Sequence, residues 1–89
     1  MTRYSIAGGV LRADLAGKEV LLNTDTGVYH LVNPTGRHLI ASMEAGQSFE
    51  EAVQSLADAE GESYERIERD AQAFVDAMLS RALLEVMES

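Results

Sequence analysis

The stretch Val20–Gly36, VLLNTDTGVYHLVNPTG, constrains this chain more than any other. Val20–Asn23 is apolar and reads as a strand. Thr24-Asp25-Thr26-Gly27 is a turn, with Gly27 placed where a positive φ is needed. Val28–Val32 is rich in β-branched and aromatic residues and reads as a second strand. Asn33-Pro34 then starts a helix, with Asn at the N-cap and Pro at the first helical position, where its missing N–H costs nothing. The pattern predicts a β-hairpin that runs straight into a helix.

The second strand of that hairpin is unusual. Val28, His30 and Val32 fall on one face, Tyr29 and Leu31 on the other. A strand with one solvated side alternates apolar and polar residues. This one carries apolar bulk on both sides. Either the protein covers both faces, or the strand is an edge whose second side waits for a partner. Edge strands are usually blunted by charge or proline, and neither occurs between Val28 and Val32.

Before the hairpin, Tyr4 and Ile6 precede a flexible break at Gly8-Gly9, and Val10–Leu15 reads as a first strand of poor alternation. Ala16–Glu19 turns the chain into the hairpin. After it, the first helix is expected from Pro34 to about Glu44, with Leu39, Ile40 and Met43 as its apolar stripe and Gly46 capping its end. Ser48 and Glu51 form a capping box for a second helix with Phe49, Ala52, Val53 and Leu56 inward, closed by Gly61. Ser63 caps the third and longest helix, from about Tyr64 to Arg81 or Leu83. Its main stripe is Ile67, Ala71, Val75, Met78 and Ala82. A neighbouring stripe is Asp70, Ala73, Phe74, Ala77 and Arg81, where two alanines would let another backbone approach. Leu84–Met87 is expected to pack back as a short tail. The class is α+β in the order β-β-β-α-α-α, in one domain (1–89, core about 10–85).

Eighty-nine residues suffice for one core, burying roughly 60% of the unfolded surface. No apolar run reaches the ~20 residues of a membrane span, and the first residues lack the apolar core of a signal peptide. No cysteine is present, which excludes disulfides and thiolate chemistry. A cytoplasmic location is therefore expected. Fifteen acidic against seven basic side chains leave a net charge of −8. That weighs against nucleic acid, whose phosphates draw on clustered Lys and Arg.

No catalytic constellation emerges. The chain has no Gly-x-Ser-x-Gly elbow and no phosphate-binding glycine loop. His30 and His38 lack the spacing of a helical metal pair, so no metal and no cofactor are expected. His30 is either a partly buried or surface imidazole or a contact for a bound peptide; His38 is expected on an exposed face. Asp70 either stabilises the start of the long helix or accepts hydrogen bonds from a ligand. Phe74 and Met78 read first as core.

Leu21-Leu22-Asn23, the turn ending in Gly27, and then Tyr29, Asn33 and Thr35-Gly36 resemble the PqqD-like family, the leader-peptide recognition elements of ribosomally made, modified peptides. The likeness is nearest to the stand-alone recognition proteins of lasso-peptide pathways, and runs from about Val10 to Glu85. It implies a winged helix-turn-helix-like domain, a three-stranded antiparallel sheet with three helices, and no enzymatic activity. It implies that a precursor's leader adds as a strand beside Val28, Tyr29, His30, Leu31 and Val32, facing Asp70, Ala73, Phe74, Ala77 and Arg81. It also implies tyrosine, proline and leucine anchors in the leader, and delivery to a separate leader peptidase and then a cyclase. Two positions depart from the family: Val32 stands where leucine is common, and Ala82 where glycine often precedes the final leucines. The competing reading is a winged-helix DNA-binding regulator. It calls for a basic third helix, whereas Arg66, Arg69 and Arg81 are offset by Glu65, Glu68, Asp70 and Asp76.

Overall fold

The computed structural model describes residues 2–87, so the two ends of the expected 1–89 domain lie outside the described residues. The elements are β1 (Arg3–Ile6), β2 (Val10–Leu15), β3 (Lys18–Asn23), β4 (Tyr29–Val32), α1 (Pro34–Glu44), α2 (Phe49–Glu60), α3 (Tyr64–Ser80) and β5 (Leu84–Met87). The class is α+β with antiparallel sheets and three helices. Strands β2, β3 and β4 form one sheet in that order, and β1 and β5 form a second, two-stranded one.

That second sheet corrects the expected element order. The segment around Tyr4 and the expected tail are strands paired Arg3 with Met87 through Ile6 with Leu84. A strand formed from the two ends of a chain leaves no local turn signal. What holds it is packing: Tyr4, Leu83 and Leu84 belong to the core, and Tyr4 meets Phe49 edge to face at 6.0 Å. Gly9, at φ +80, turns the chain from β1 into β2.

The main sheet sorts its side chains by register. Leu11–Leu22–Tyr29 and Ala13–Val20–Leu31 lie on one face; Arg12–Leu21–His30 and Asp14–Glu19–Val32 lie on the other. The second face meets the helices: Leu21 and Val32 are buried there among Leu39, Ile40, Val53, Val75 and Met78. Each fully buried aliphatic side chain of this kind contributes about 1.5–3 kcal/mol. Arg12 reaches past the edge of that core to carboxylates of Glu44 (2.6 Å) and Glu19 (3.2 Å), and β2, expected to alternate poorly, alternates from Leu11 to Leu15 with its apolar residues on the outer face. The β2–β3 connection is tighter than expected. Only Ala16 and Gly17, both at positive φ, lie between the strands, so β3 begins at Lys18.

The helices start and stop where their caps dictate. Asn33 Oδ1 accepts the Gly36 N–H (2.7 Å), and Ser48 and Glu51 exchange both capping-box hydrogen bonds. The third helix ends at Ser80. The Ala82 N–H then donates to Leu79 O and the Leu83 N–H to Met78 O, with Ala82 at φ +55. This is the hydrogen-bond pattern that glycine usually completes, and it resolves the departure at Ala82: the stop survives, with an L-residue in left-handed backbone. The Ala82 carbonyl is held by the buried Asn23, whose Nδ2 donates to it (3.0 Å) while its Oδ1 accepts the N–H groups of Asp25 and Thr26. One side chain thus ties the β3–β4 turn to the end of α3. Left-handed backbone costs an alanine roughly 1–2 kcal/mol, partly offset by the freedom a glycine loses on folding. Ala82→Gly is therefore expected to stabilise the protein by about 0.5–1 kcal/mol, read as a higher urea midpoint at unchanged slope.

Candidate functional site

β4 is an edge strand, and its free edge is defined atom by atom. The Asn23 N–H donates to Val28 O (2.9 Å), so this is a bonded pair of the antiparallel ladder. Bonded and non-bonded pairs alternate. His30 and Val32 therefore spend their backbone groups on Leu21 and Glu19, while the N–H and C=O of Tyr29 and Leu31 point away from the sheet. Val28, expected inside the strand, falls one residue before it. Its N–H turns back to Thr26 Oγ1 (3.2 Å), because the turn runs on through it.

Beside that edge lies a cleft of about 400 Å³ lined by His30, Asn33, Thr35, Asp70, Ala73, Phe74 and Ala77. Five of the ten residues singled out in the sequence meet there. Arg81 joins through His30, its guanidinium donating to the imidazole Nδ1 (3.3 Å). Val32 is buried beneath the cleft, and Tyr29 and Leu31 project from the opposite face. The sequence reading missed Asn33 and Thr35 as lining residues and Gly36 as their support; Asn33 was recognisable only as a cap. Phe74, only 9% exposed, belongs to the core as its stripe predicts, and it also lines the cleft. A Cβ on Gly36 would sit 2.6 Å from Phe74 Cε1 and 3.0 Å from Val32 Cγ1. The first turn of α1 can approach α3 this closely only with glycine there.

The electrostatics are simple. Asp70 and Arg81 are exposed, eleven helix residues apart, and neither has an ion-pair partner among the described residues. His30 packs edge to face on Phe74 at 5.9 Å. Burial, and then the Arg81 charge, push its pKa below the ordinary imidazole value. Arg81 can only donate, so Nδ1 accepts and the neutral ring carries its proton on Nε2. His38, expected to be exposed, is half-buried, with Nε2 3.5 Å from Ser55 Oγ. The described residues include no cluster of three or more metal-ligating side chains. None of their helices is long and apolar enough to cross a membrane. The outer side of α3 mixes Glu65, Glu68 and Asp76 with Arg69 around a shallow hollow, which is not a cationic recognition surface.

An open strand edge over a cleft, with three helices behind the sheet, defines a small α+β domain in which the free edge of β4 lies beside the cleft. The chain belongs to the PqqD family: the family model described as Coenzyme PQQ synthesis protein D (PqqD) matches residues 19–84. No curated protein matches the sequence significantly. Among solved structures, the fold is similar to TbiB1 in complex with the TbiA(beta) leader peptide, at 27% identity and a TM-score of 0.81, over 96% of this chain and 99% of that one. It is also similar to a lasso peptide synthetase B1 complexed with the leader peptide, at 20% identity and a TM-score of 0.83, over 93% and 98%.

The His30 environment sets a pH dependence. Its folded pKa is depressed, so the unfolded chain takes up the proton more readily. The contribution of this contact is complete above the ordinary imidazole pKa and is lost as pH falls through the folded one. Urea midpoints compared at about pH 7.5 and 5.5 are expected to drop for the wild type and to drop less for His30→Gln.

Proposed function

We propose that this chain binds the leader segment of a ribosomally made precursor peptide, of the lasso class, as an added strand on β4. The observation that carries the reading is the outward pair of backbone groups on Tyr29 and Leu31 beside the Phe74 cleft. Strand addition pairs those groups, and alternate side chains of the peptide then enter pockets. Membership of the PqqD family supports it, as does TbiB1, which was solved with a leader peptide bound.

The sheet is antiparallel throughout, and antiparallel pairing is the more stable mode, so the leader runs against β4. Every second side chain points into the cleft, where Ala73 and Ala77 leave room and Phe74 supplies an apolar wall. The strand passes Asp70 first and Arg81 last. Those ends are about 16 Å apart at 1.5 Å per helical residue, the length of about five strand residues. The contact set proposed is Val28, Tyr29, His30, Leu31, Val32, Asp70, Ala73, Phe74, Ala77 and Arg81. Of these, Val32 acts from below by shaping the floor, and Val28 acts at the mouth of the hairpin.

The proposal extends to the division of labour. The chain acts as one winged-helix-like recognition domain in the cytoplasm, without catalysis of its own, and hands the bound precursor to a separate leader peptidase and cyclase.

Leu31→Pro tests the reading cleanly. Position 31 donates its N–H outward, so proline there removes a donor from the edge and leaves the β3–β4 ladder intact. Ala73→Trp, at an exposed position, fills the cleft. In a fluorescence-anisotropy titration of a labelled leader peptide, each variant is expected to weaken binding by about tenfold or more at unchanged folding. Normal leader binding by both, or binding of a DNA duplex in place of the leader, would sink the assignment.

A further inference from the structure

The cleft beside β4 is apolar in its middle and charged at its two ends. Phe74, Ala73 and Ala77 line the middle, and Asp70 lines one end together with Asn33 and Thr35. Arg81 stands at the other end, where its Nη1 meets His30 Nδ1 at 3.3 Å. That contact places the guanidinium against the peptide-binding strand, because His30 is itself seated on Phe74. The remaining N–H groups of the guanidinium fork suit a carboxylate. Neither Asp70 nor Arg81 has an ion-pair partner among the described residues. Their neighbours on α3 are engaged elsewhere. Arg66, one turn before Asp70, lies 3.8 Å from Glu62, and Asp76, the last carboxylate of the helix, accepts from Gln72 Nε2 (2.9 Å).

Register turns these two ends into a pattern of side chains. Tyr29 and Leu31 hold the outward backbone groups, so an antiparallel peptide forms its bonded pairs with them. The peptide residues opposite those two share their outer face. The residues opposite Val32, His30 and Val28 face the cleft instead, and they come first, third and fifth in the direction of the peptide. The first meets the Asp70 end, the third meets Phe74 and the fifth meets the Arg81 end. Four strand steps cover about 14 Å, against about 16 Å between the two charged positions along the helix, a difference that the side chains span.

We infer that the cleft reads charge as well as shape: it takes a strand with a cationic side chain first, an apolar one third and a carboxylate fifth. Asp70 and Arg81 are the specificity-determining residues. They also set direction. A strand that carries the same charges in reverse order brings like charges together at both ends, and that juxtaposition rejects it. The inference deepens the leader-binding reading and rests on β4 being the edge that the peptide joins; the experiment separates the two.

The variant is Asp70→Lys/Arg81→Glu, at two exposed positions. One substitution adds two charges and the other removes two, so the net charge of −8 is unchanged. Long-range attraction or repulsion therefore acts equally on both proteins and cancels in the comparison. Two labelled peptides are titrated with each full chain: the leader of the same pathway's precursor, and a charge-exchanged copy in which every Lys and Arg is replaced by Glu and every Asp and Glu by Lys. The ratio of leader affinity to copy affinity is expected to fall by about tenfold or more from wild type to variant at low salt. The fall is expected to shrink as salt is added. A ratio that the exchange leaves unchanged overturns the inference. So does a fall that is as large at high salt, or a folded variant that binds neither peptide. Failure of the wild type to bind leader strikes the β4 reading instead.

Discussion

The contact between Gly36 and Phe74 sets the geometry on which the rest depends. Phe74 stands where α3 passes the first turn of α1, and a methyl group on residue 36 would collide with its ring and with Val32. Asn33 and Pro34 fix where that turn begins, so the glycine's position is set by the cap before it. With the ring seated, His30 packs on its other side, and α3 runs alongside β4 without covering its edge. A bulkier residue at 36 would push Phe74 into the cleft. One absent side chain therefore sets how closely β4, α1 and α3 approach one another.

The two sides of β4 have different tasks, and alternation makes that possible. Inward residues His30 and Val32 serve the cleft and the core, while Tyr29 and Leu31 face out and their backbone groups lie along the free edge. Such an edge invites aggregation unless it is protected. Here the strand is only four residues long, one of the measures that limit the hazard. The high net negative charge acts in the same direction.

Much of this was legible before any coordinates. The caps at Asn33, Ser48 and Ser63, the three helices and the turn at Gly27 rest on local chemistry, and local chemistry is what a sequence displays. The stripe Asp70, Ala73, Phe74 and Ala77 was readable from helical spacing, and the resemblance assigned it a partner strand. The β1–β5 sheet was not legible, because its strands come from opposite ends of the chain and only the core joins them. Ala82 misled for a related reason: Asn23, far away in sequence, holds its carbonyl in a turn that glycine would form unaided. The double apolar character of Val28–Val32 left two explanations open. The structure separates them by face: the protein covers the inner side and leaves the outer side bare.

The most direct measurement is amide hydrogen exchange across β4, residue by residue, with and without leader peptide. The ladder already protects the N–H groups of His30 and Val32, whereas those of Tyr29 and Leu31 lie on the open edge. Strand addition requires slowed exchange at Tyr29 and Leu31 when leader is added, with little change at their two neighbours. Saturating leader that leaves both edge amides exchanging freely, or that protects only residues remote from β4, would contradict the account.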